Sequence, residues 1–297
     1  MLNTVSVTNA SKETLVMELA KPWTSGMNIT NIDGLGPMEV EINSSNFGFF
    51  DGSQVNNVRK ASREIKFNIK FYSDNGYIEN LRQKTYRYFP LKEKIRLGFE
   101  TDNRSVYIEG YVKSNEPNIF SKDENTVITV FCPEPWFHAT SDTTLYLDEG
   151  YAHLEFPFSN ESLTNNLIVI SEIRTDGRKL ITNNGIEHGF ELEIVFPSSF
   201  KESELKTQYS IVIENGGKTQ TFEFNPNGHR VFKLSTVEGN TYFICYDDPK
   251  LKNYLRYVNF GSDWPKLLNG DNYIHMLGAG SKGVSLVAAT NTVYEGI

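Results

Sequence analysis

From residue 64 to residue 71 the chain reads EIKFNIKF, a strict alternation of polar and apolar side chains. Successive side chains of an extended strand point to opposite faces, so this period places Ile65, Phe67, Ile69 and Phe71 on one buried face. Glu64, Lys66, Asn68 and Lys70 then face water. A helix would scatter the same residues around its circumference. The pattern returns in Ile95, Leu97 and Phe99, and again in Val106, Ile108, Gly110 and Val112. The first half of the chain is therefore expected to be built on strands. The 20 Phe and 15 Tyr agree, because aromatic rings suit half-buried pleated surfaces. One segment departs from the rule. Between Tyr77 and Phe89, the residues Ile78, Leu81, Thr85, Tyr86 and Phe89 fall close to one helical face. Asp74 and Asn75 stand ahead of it as capping residues, and Pro90 ends it by disfavouring helical geometry at Phe89.

Pro133 and Pro135 follow the strand-like run TVITVFC, and the polar run ATSDTT comes next. This places a boundary near residues 133–150 and divides the chain into a first domain, 1–138, and a second, 139–297. Beyond it short strands are expected at 167–170, 190–196, 208–213, 219–224, 241–246 and 273–277, with no helix. Turn runs such as NNG, NGG, NPNG and NGD separate them. Many short strands with turns between them predict a sandwich or barrel. No repeat of fixed period is present.

The charge and motif inventory narrows the function classes. A net charge of −8 and a pI near 5.3 oppose binding to phosphate backbones, so no nucleic-acid partner is expected. The N-terminal residues lack the basic start and apolar run of an export signal, and no window is apolar enough for a membrane span. Cys132 and Cys245 have no redox or metal spacing and read as two buried, reduced thiols, suited to synthesis in a reducing cytoplasm. Gly278, Gly280 and Gly283 form a formal G-x-G-x-x-G, but a dinucleotide site needs a following helix, and Val284 onward reads as a strand. This is a turn. His138, His153, His188, His229 and His275 are dispersed, without metal spacing. No G-x-S-x-G occurs. The carboxylate pairs Glu39 with Glu41, Glu202 with Glu204, and Asp247 with Asp248 read as solvated surface. No catalytic constellation stands out, so no enzyme, cofactor or metal is expected. Trp264, in the polar run FGSDWPKLLNGDN, has two readings: a ring packed on a sandwich edge that fixes its loop, or a platform for stacking a sugar.

Residues 43–63, NSSNFGFFDGSQVNNVRKASR, are rich in Asn, Ser and Gly yet carry Phe47, Phe49 and Phe50. Loops longer than about 12–15 residues are uncommon unless functional or disordered. Either the stretch folds back on its own domain or it forms an arm that meets a partner.

Two stretches carry a family resemblance. Residues 28–43, NITNIDGLGPMEVEIN, resemble the opening of siphophage distal tail (Dit) proteins, with Gly34, Gly36 and Pro37 at the turn. Residues 95–137 are similar to that family's most typical block, through the run Glu109 to Val112, through Asn115, Glu116 and Pro117, and through the exit CPEPWF with Pro133 and Pro135. The resemblance spans about residues 28–137, and DWPKLLNGDNYIHM resembles a closing pattern of the family's C-terminal domain. It implies an N-terminal β-sandwich with one α-helix and an extended hairpin arm, followed by a galectin-like β-sandwich at the periphery. It also implies a structural hub, six copies in a ring, in the virion tail tip. Its partners would be the tail tube protein, the tail-associated lysin or hub protein, and receptor-binding protein. Under this reading the odd stretch is the arm that clasps the next subunit, with Phe47, Phe49, Phe50, Val55 and Arg59 as contacts. With roughly 150 residues after the boundary there is little room for an inserted carbohydrate-binding module, so the plain architecture is expected.

Overall fold

The computed structural model describes residues 1–49, 51–72, 78–120, 123–141, 143–146, 150–152, 171–173, 178–248, 253–279 and 281–297. The chain is mainly β and divides into two compact units, residues 1–141 with 293–297, and residues 142–292.

The first unit contains β1 (Leu2–Thr8), β2 (Thr14–Glu18), the short α1 (Pro22–Ser25), β3 (Met27–Asp33), β4 (Val40–Asn46), β5 (Ser53–Lys60) and β6 (Arg63–Phe71). They are followed by α2 (Ile78–Tyr88), β7 (Lys94–Thr101), β8 (Ser105–Asn118), β9 (Asn125–Cys132) and β10 (Phe137–Ala139). The α2 helix is the one that the sequence pattern marks; its expected caps, Asp74 and Asn75, lie outside the described residues. Seven strands pair antiparallel in the order β2-β1-β7-β8-β9-β6-β3. The buried residues follow the alternation: Ile65, Phe67, Ile69 and Phe71 from β6, Ile95, Leu97 and Phe99 from β7, and Ile128 and Val130 from β9.

This sheet folds over on itself. Phe67 and Phe99 lie three strand steps apart in the pairing order, which in a flat sheet means about 14 Å. Their rings stack with centroids 6.4 Å apart. The two halves of the sheet therefore face each other across one core, and β8, which is 14 residues long, belongs to both. Its first half pairs with β7 and its second half with β9.

The sequence division assigned residues 293–297 to the second half, whereas contacts place them in the first unit. Val293 and Tyr294 pair with His138 and Phe137 of β10. A two-residue strand carries no periodicity, so its partner cannot be read from its residues.

The second unit contains β11 (Thr143–Tyr146), the paired β12 (Gly150–Ala152) and β13 (Ser171–Ile173), β14 (Lys179–Asn183), β15 (Glu191–Val195), β16 (Tyr209–Asn215) and β17 (Lys218–Phe224). After these come β18 (Val231–Ser235), β19 (Tyr242–Cys245), β20 (Gly270–Leu277) and β21 (Ser285–Thr290). The strand expected at 167–170 lies outside the described residues. One sheet has the order β11-β21-β15-β18-β19 and the other β14-β20-β16-β17. Their facing sides carry Phe232, Leu234 and Phe243 on one sheet and Phe222, Phe224 and Ile211 on the other, all buried. Phe224 meets Phe243 at 5.1 Å and Phe232 at 5.6 Å between ring centroids, and Phe222 meets Phe243 at 5.2 Å. Tilted and edge-to-face rings at these separations add roughly 0.5–1.5 kcal/mol per pair beyond the area they bury. A large share of the chain's phenylalanines is spent here, which makes this unit a β-sandwich with an aromatic core. No helix among the described residues is long and apolar enough to cross a membrane.

Candidate interaction surfaces

β4 and β5 form a two-stranded sheet of their own, paired with no other strand among the described residues. Every side chain from Val40 to Asn46 and from Ser53 to Arg59 is exposed. The stretch is thus an extended hairpin arm and does not fold back on its own unit. The pairing register shows its two faces. Val40 stands opposite Lys60, Ile42 opposite Val58 and Ser44 opposite Val55, so Val40, Ile42, Val58 and Val55 share one face. The other face carries Glu41 opposite Arg59 and Asn43 opposite Asn57, and Arg59 Nε donates to Glu41 Oε2 at 2.7 Å. Arg59 thus lies on the polar face and Val55 on the apolar one. At the tip, Phe47 is 48% exposed and Phe49 98% exposed, while Phe50 lies outside the described residues. Isolated two-stranded hairpins are marginally stable in water, and this one leaves its apolar face open.

The arm is anchored at its root by Arg63, a residue that the sequence motifs leave out. Arg63 has no exposed surface. Its Nε donates to the Pro135 carbonyl at 2.8 Å, Nη1 to the carbonyls of Gly34 and Gly36 (2.7 Å for Gly36), and Nη2 to the Glu295 carbonyl at 2.5 Å. The guanidinium also lies over the Phe137 ring, 4.5 Å from its centroid. Burial lowers the Arg63 pKa from its ordinary value, opposed by Cys132 and Glu295. The motif residues Gly34, Gly36 and Pro135, which are distant in sequence, thus meet on one side chain. Gly34 has φ +90°, and a Cβ there would fall 2.2 Å from the Glu64 carbonyl oxygen, so only glycine fits. The tail closes the knot: Ile297 N donates to the Leu35 carbonyl at 3.1 Å, and Lys60 on the arm pairs with the Glu295 carboxylate. A cleft of about 670 Å³ lies beside this root, bordered by Asp33, Pro37, Glu39, Glu64 and Lys66.

The remaining motif residues are structural neighbours of the sheet. Asn115 on β8 donates to Thr85 Oγ1 at 3.2 Å and accepts from Thr126 Oγ1 at 2.7 Å, tying α2 to the β8–β9 pair. Glu116 and Pro117 pair with Val127 and Thr126, and Pro133 lies exposed just beyond β9.

Chemistry-bearing residues are occupied or scattered. No group of three or more His, Cys, Asp or Glu fit to hold a metal exists among the described residues. His138 contacts Glu134 at 3.1 Å and holds that carboxyl below its usual range. His188 bonds the Ile186 carbonyl and Thr290, His229 faces Asp248 at 3.9 Å, and burial lowers the His275 pKa. His153 lies outside the described residues. Glu41 pairs with Arg59 and Glu202 with Lys206, and Asp247 accepts from the Arg230 backbone. Both cysteines are buried and unpaired, and burial pushes the Cys132 thiol up to about 12. After Gly278 a single 3-10 turn at Ser281–Gly283 leads into β21, so among the described residues no α-helix follows the glycines, as a dinucleotide fingerprint requires. Trp264 is partly buried, its ring 5.3 Å from Phe222 in edge-to-face contact.

No family model and no curated protein matches the sequence. Among solved structures, the chain is similar to the crystal structure of phage SPP1 Dit (gp 19.1), described as a paradigm of the hub adsorption apparatus in phages infecting Gram-positive hosts. The likeness has a TM-score of 0.62 at 11% identity and covers 97% of this chain and 98% of that one. It establishes a common fold across both units. A chain of the phage P2 baseplate in its activated conformation aligns over 97% of this chain and 98% of its own at 11% identity. Its TM-score of 0.41 is too low to carry weight.

Proposed function

We propose that this chain is a distal tail protein, a structural baseplate hub whose copies close into a hexameric ring at the tip of a phage tail. The reading rests on the near full-length likeness of fold to SPP1 Dit, which takes in both units at a TM-score of 0.62. The ring would join the tail tube protein to the tail-associated lysin or hub protein and to receptor-binding protein, with the second unit as a galectin-like sandwich at the periphery. The working parts of such a protein are contact surfaces. The hairpin arm supplies one, through Val40, Ile42, Val55, Val58, Phe47 and Phe49. Fully covering an aliphatic or aromatic side chain contributes about 1.5–3 kcal/mol, so these side chains are the ones whose burial on a neighbour would contribute most.

The test is assembly. Sedimentation of the purified chain and imaging of tail tips should show rings, and deletion of residues 46–60 should leave both units folded while preventing closure. A chain that stays monomeric at high concentration and is missing from tail tips would remove the hub reading. Glycan binding abolished by Trp264→Ala would instead favour a sugar-binding module, and Trp264 is already engaged with Phe222.

A further inference from the structure

Residues 293–297 follow the second unit in the chain, yet they pack into the first. Val293 and Tyr294 pair with β10, Arg104 lies over the Tyr294 ring at 4.7 Å, and Ile297 packs against the core of the first unit. Between these fixed points the segment meets both limbs of the arm. On the incoming limb, the Ile297 N–H donates to the Leu35 carbonyl. Gly296 lies so close there that a Cβ on it would fall 3.0 Å from the same oxygen and 3.2 Å from Pro37 N. On the outgoing limb, Glu295 takes Lys60 through its carboxylate and Arg63 through its carbonyl. The limbs need such a clamp. Residues 34–39 and 61–62, which join the arm to β3 and β6, belong to no strand, and a Cβ on Gly36 would have nothing within 4 Å. Unpaired residues keep several backbone states, so an arm hung on two such joints points in one direction only where both joints are held. Arg63 holds the Gly34 and Gly36 carbonyls, but its Nη2 and the Lys60 ammonium are both partnered by Glu295.

We propose that residues 293–297 are a latch that fixes the direction of the arm, and that it closes only after the second unit has been made. The timing follows from chain order. Residues 142–292 must all be synthesised before Glu295 exists to meet Lys60 and Arg63. The core residues do not wait for it: those buried in the first core run to Phe137 and those in the second to Ala288. A chain stopped short of residue 293 therefore carries the arm and both cores but lacks the clamp. The consequence for assembly, and that alone, rests on the ring reading: incomplete chains present an arm that is not set, so a ring recruits subunits whose second unit is present. A five-residue segment suits this role. It is held by pairing with β10 and by one packed side chain, an attachment that local opening can release without unfolding the sheet.

Spin labels at Gln54→Cys on β5 and Glu100→Cys on β7, both exposed, read the direction of the arm in the full chain, because Cys132 and Cys245 are buried. The parent should give a single narrow distance. Deleting residues 293–297 should replace it with a broad distribution, while the first unit still unfolds cooperatively at a lower midpoint. Lys60→Met, which keeps the segment but breaks its pair with Glu295, should broaden the distance less. A distance that stays narrow after the deletion, or one that is already broad in the parent, would overturn the latch. Loss of cooperative unfolding of the first unit would overturn it too, since the segment would then belong to the core. Sedimentation separates the two levels. If the deletion frees the arm and rings still close, the latch stands and its bearing on assembly is wrong. If the parent itself forms no ring, the hub reading fails while the distances still decide the latch.

Discussion

Replacing Arg63 by Met should destabilise the first unit by about 3–5 kcal/mol. The guanidinium donates to four carbonyls, those of Gly34, Gly36, Pro135 and Glu295. Hydrogen bonds from a charged donor contribute roughly 1.5–3 kcal/mol each, or about 6–12 kcal/mol together before any offset. Against this stands the cost of taking a cation out of water, several kcal/mol for a fully buried group. Met has a similar length and no charge, so it removes both terms and leaves four carbonyls without their donor. Gly36 is exposed, and its carbonyl can turn to water; the other three belong to half-buried residues. The balance is a net loss of the stated size. In a unit of this length each kcal/mol lowers the midpoint by about 2–4 °C, so the first thermal transition should fall by roughly 6–20 °C. Trp23 and Trp136 report that unit by fluorescence, and Trp264 reports the second, whose transition should stay in place. Arg63→Lys, which keeps the charge but not the planar fork, should lose part of the stability. A variant Arg63→Met within about 1 kcal/mol of the parent in urea titration would refute the reasoning, because the four bonds would then contribute nothing net.

Two neighbouring glycines should part company: Gly34→Ala destabilises the first unit by about 2 kcal/mol or more, since its Cβ would strike the Glu64 carbonyl at φ +90°, whereas Gly36→Ala is nearly neutral with nothing within 4 Å; equilibrium unfolding of the pair checks this. The Cys132 thiol rises from 9.0 to about 12 in the folded chain, so its contribution to stability is complete below about pH 9 and is lost as pH climbs toward 12. Cys132→Ala should accordingly flatten the alkaline decline measured by denaturant titration at several pH values, and the parent thiol should react with thiol reagents only on unfolding. In the second unit, Phe224→Ala removes a ring that touches Phe196, Tyr209, Phe222, Phe232 and Phe243, and should cost about 3–5 kcal/mol in that unit's transition alone.

How far the fold is legible depends on how many side chains keep one phase. In β6 the alternation runs through nine residues and names the buried face without error. It even carries the signal that sequence reasoning missed: Arg63 falls on the same phase as Ile65, Phe67, Ile69 and Phe71, so a cation stands where the pattern demands a core residue. β1 and β2 bury only two side chains each, Val5 with Val7 and Leu15 with Met17, too few to separate a strand from chance. The arm is hidden for a different reason. Val55 and Val58 are three residues apart, which no regular strand places on one face. A bulge between Asn43 and Ser44 in the pairing absorbs one residue of β5 and returns both valines to the face of Val40 and Ile42. The local spacing reads as loop, while the paired spacing reads as an amphipathic hairpin. Phe47 and Phe49 stand out in the sequence; the apolar face behind them does not.

The same distinction applies at the root of the arm. Gly34, Gly36, Pro135 and Glu295 share no local pattern, because what they share is a set of carbonyls pointed at one side chain 27 to 232 residues away. A two-stranded arm has no core of its own, so its direction must be imposed where it joins the unit. Arg63 imposes it there, holding the incoming turn, the exit of β9 and the returning C-terminal residues in one buried fork, while Lys60 ties the last residue of β5 to Glu295. A lysine could not do this, since its three donors diverge from a point instead of lying in a plane. The glycine turn, the proline exit and the tail are thus parts of one device, and its output is the position of an exposed aromatic tip. Under the proposed role, what matters in this chain is how the root sets the arm and how far the tip is exposed.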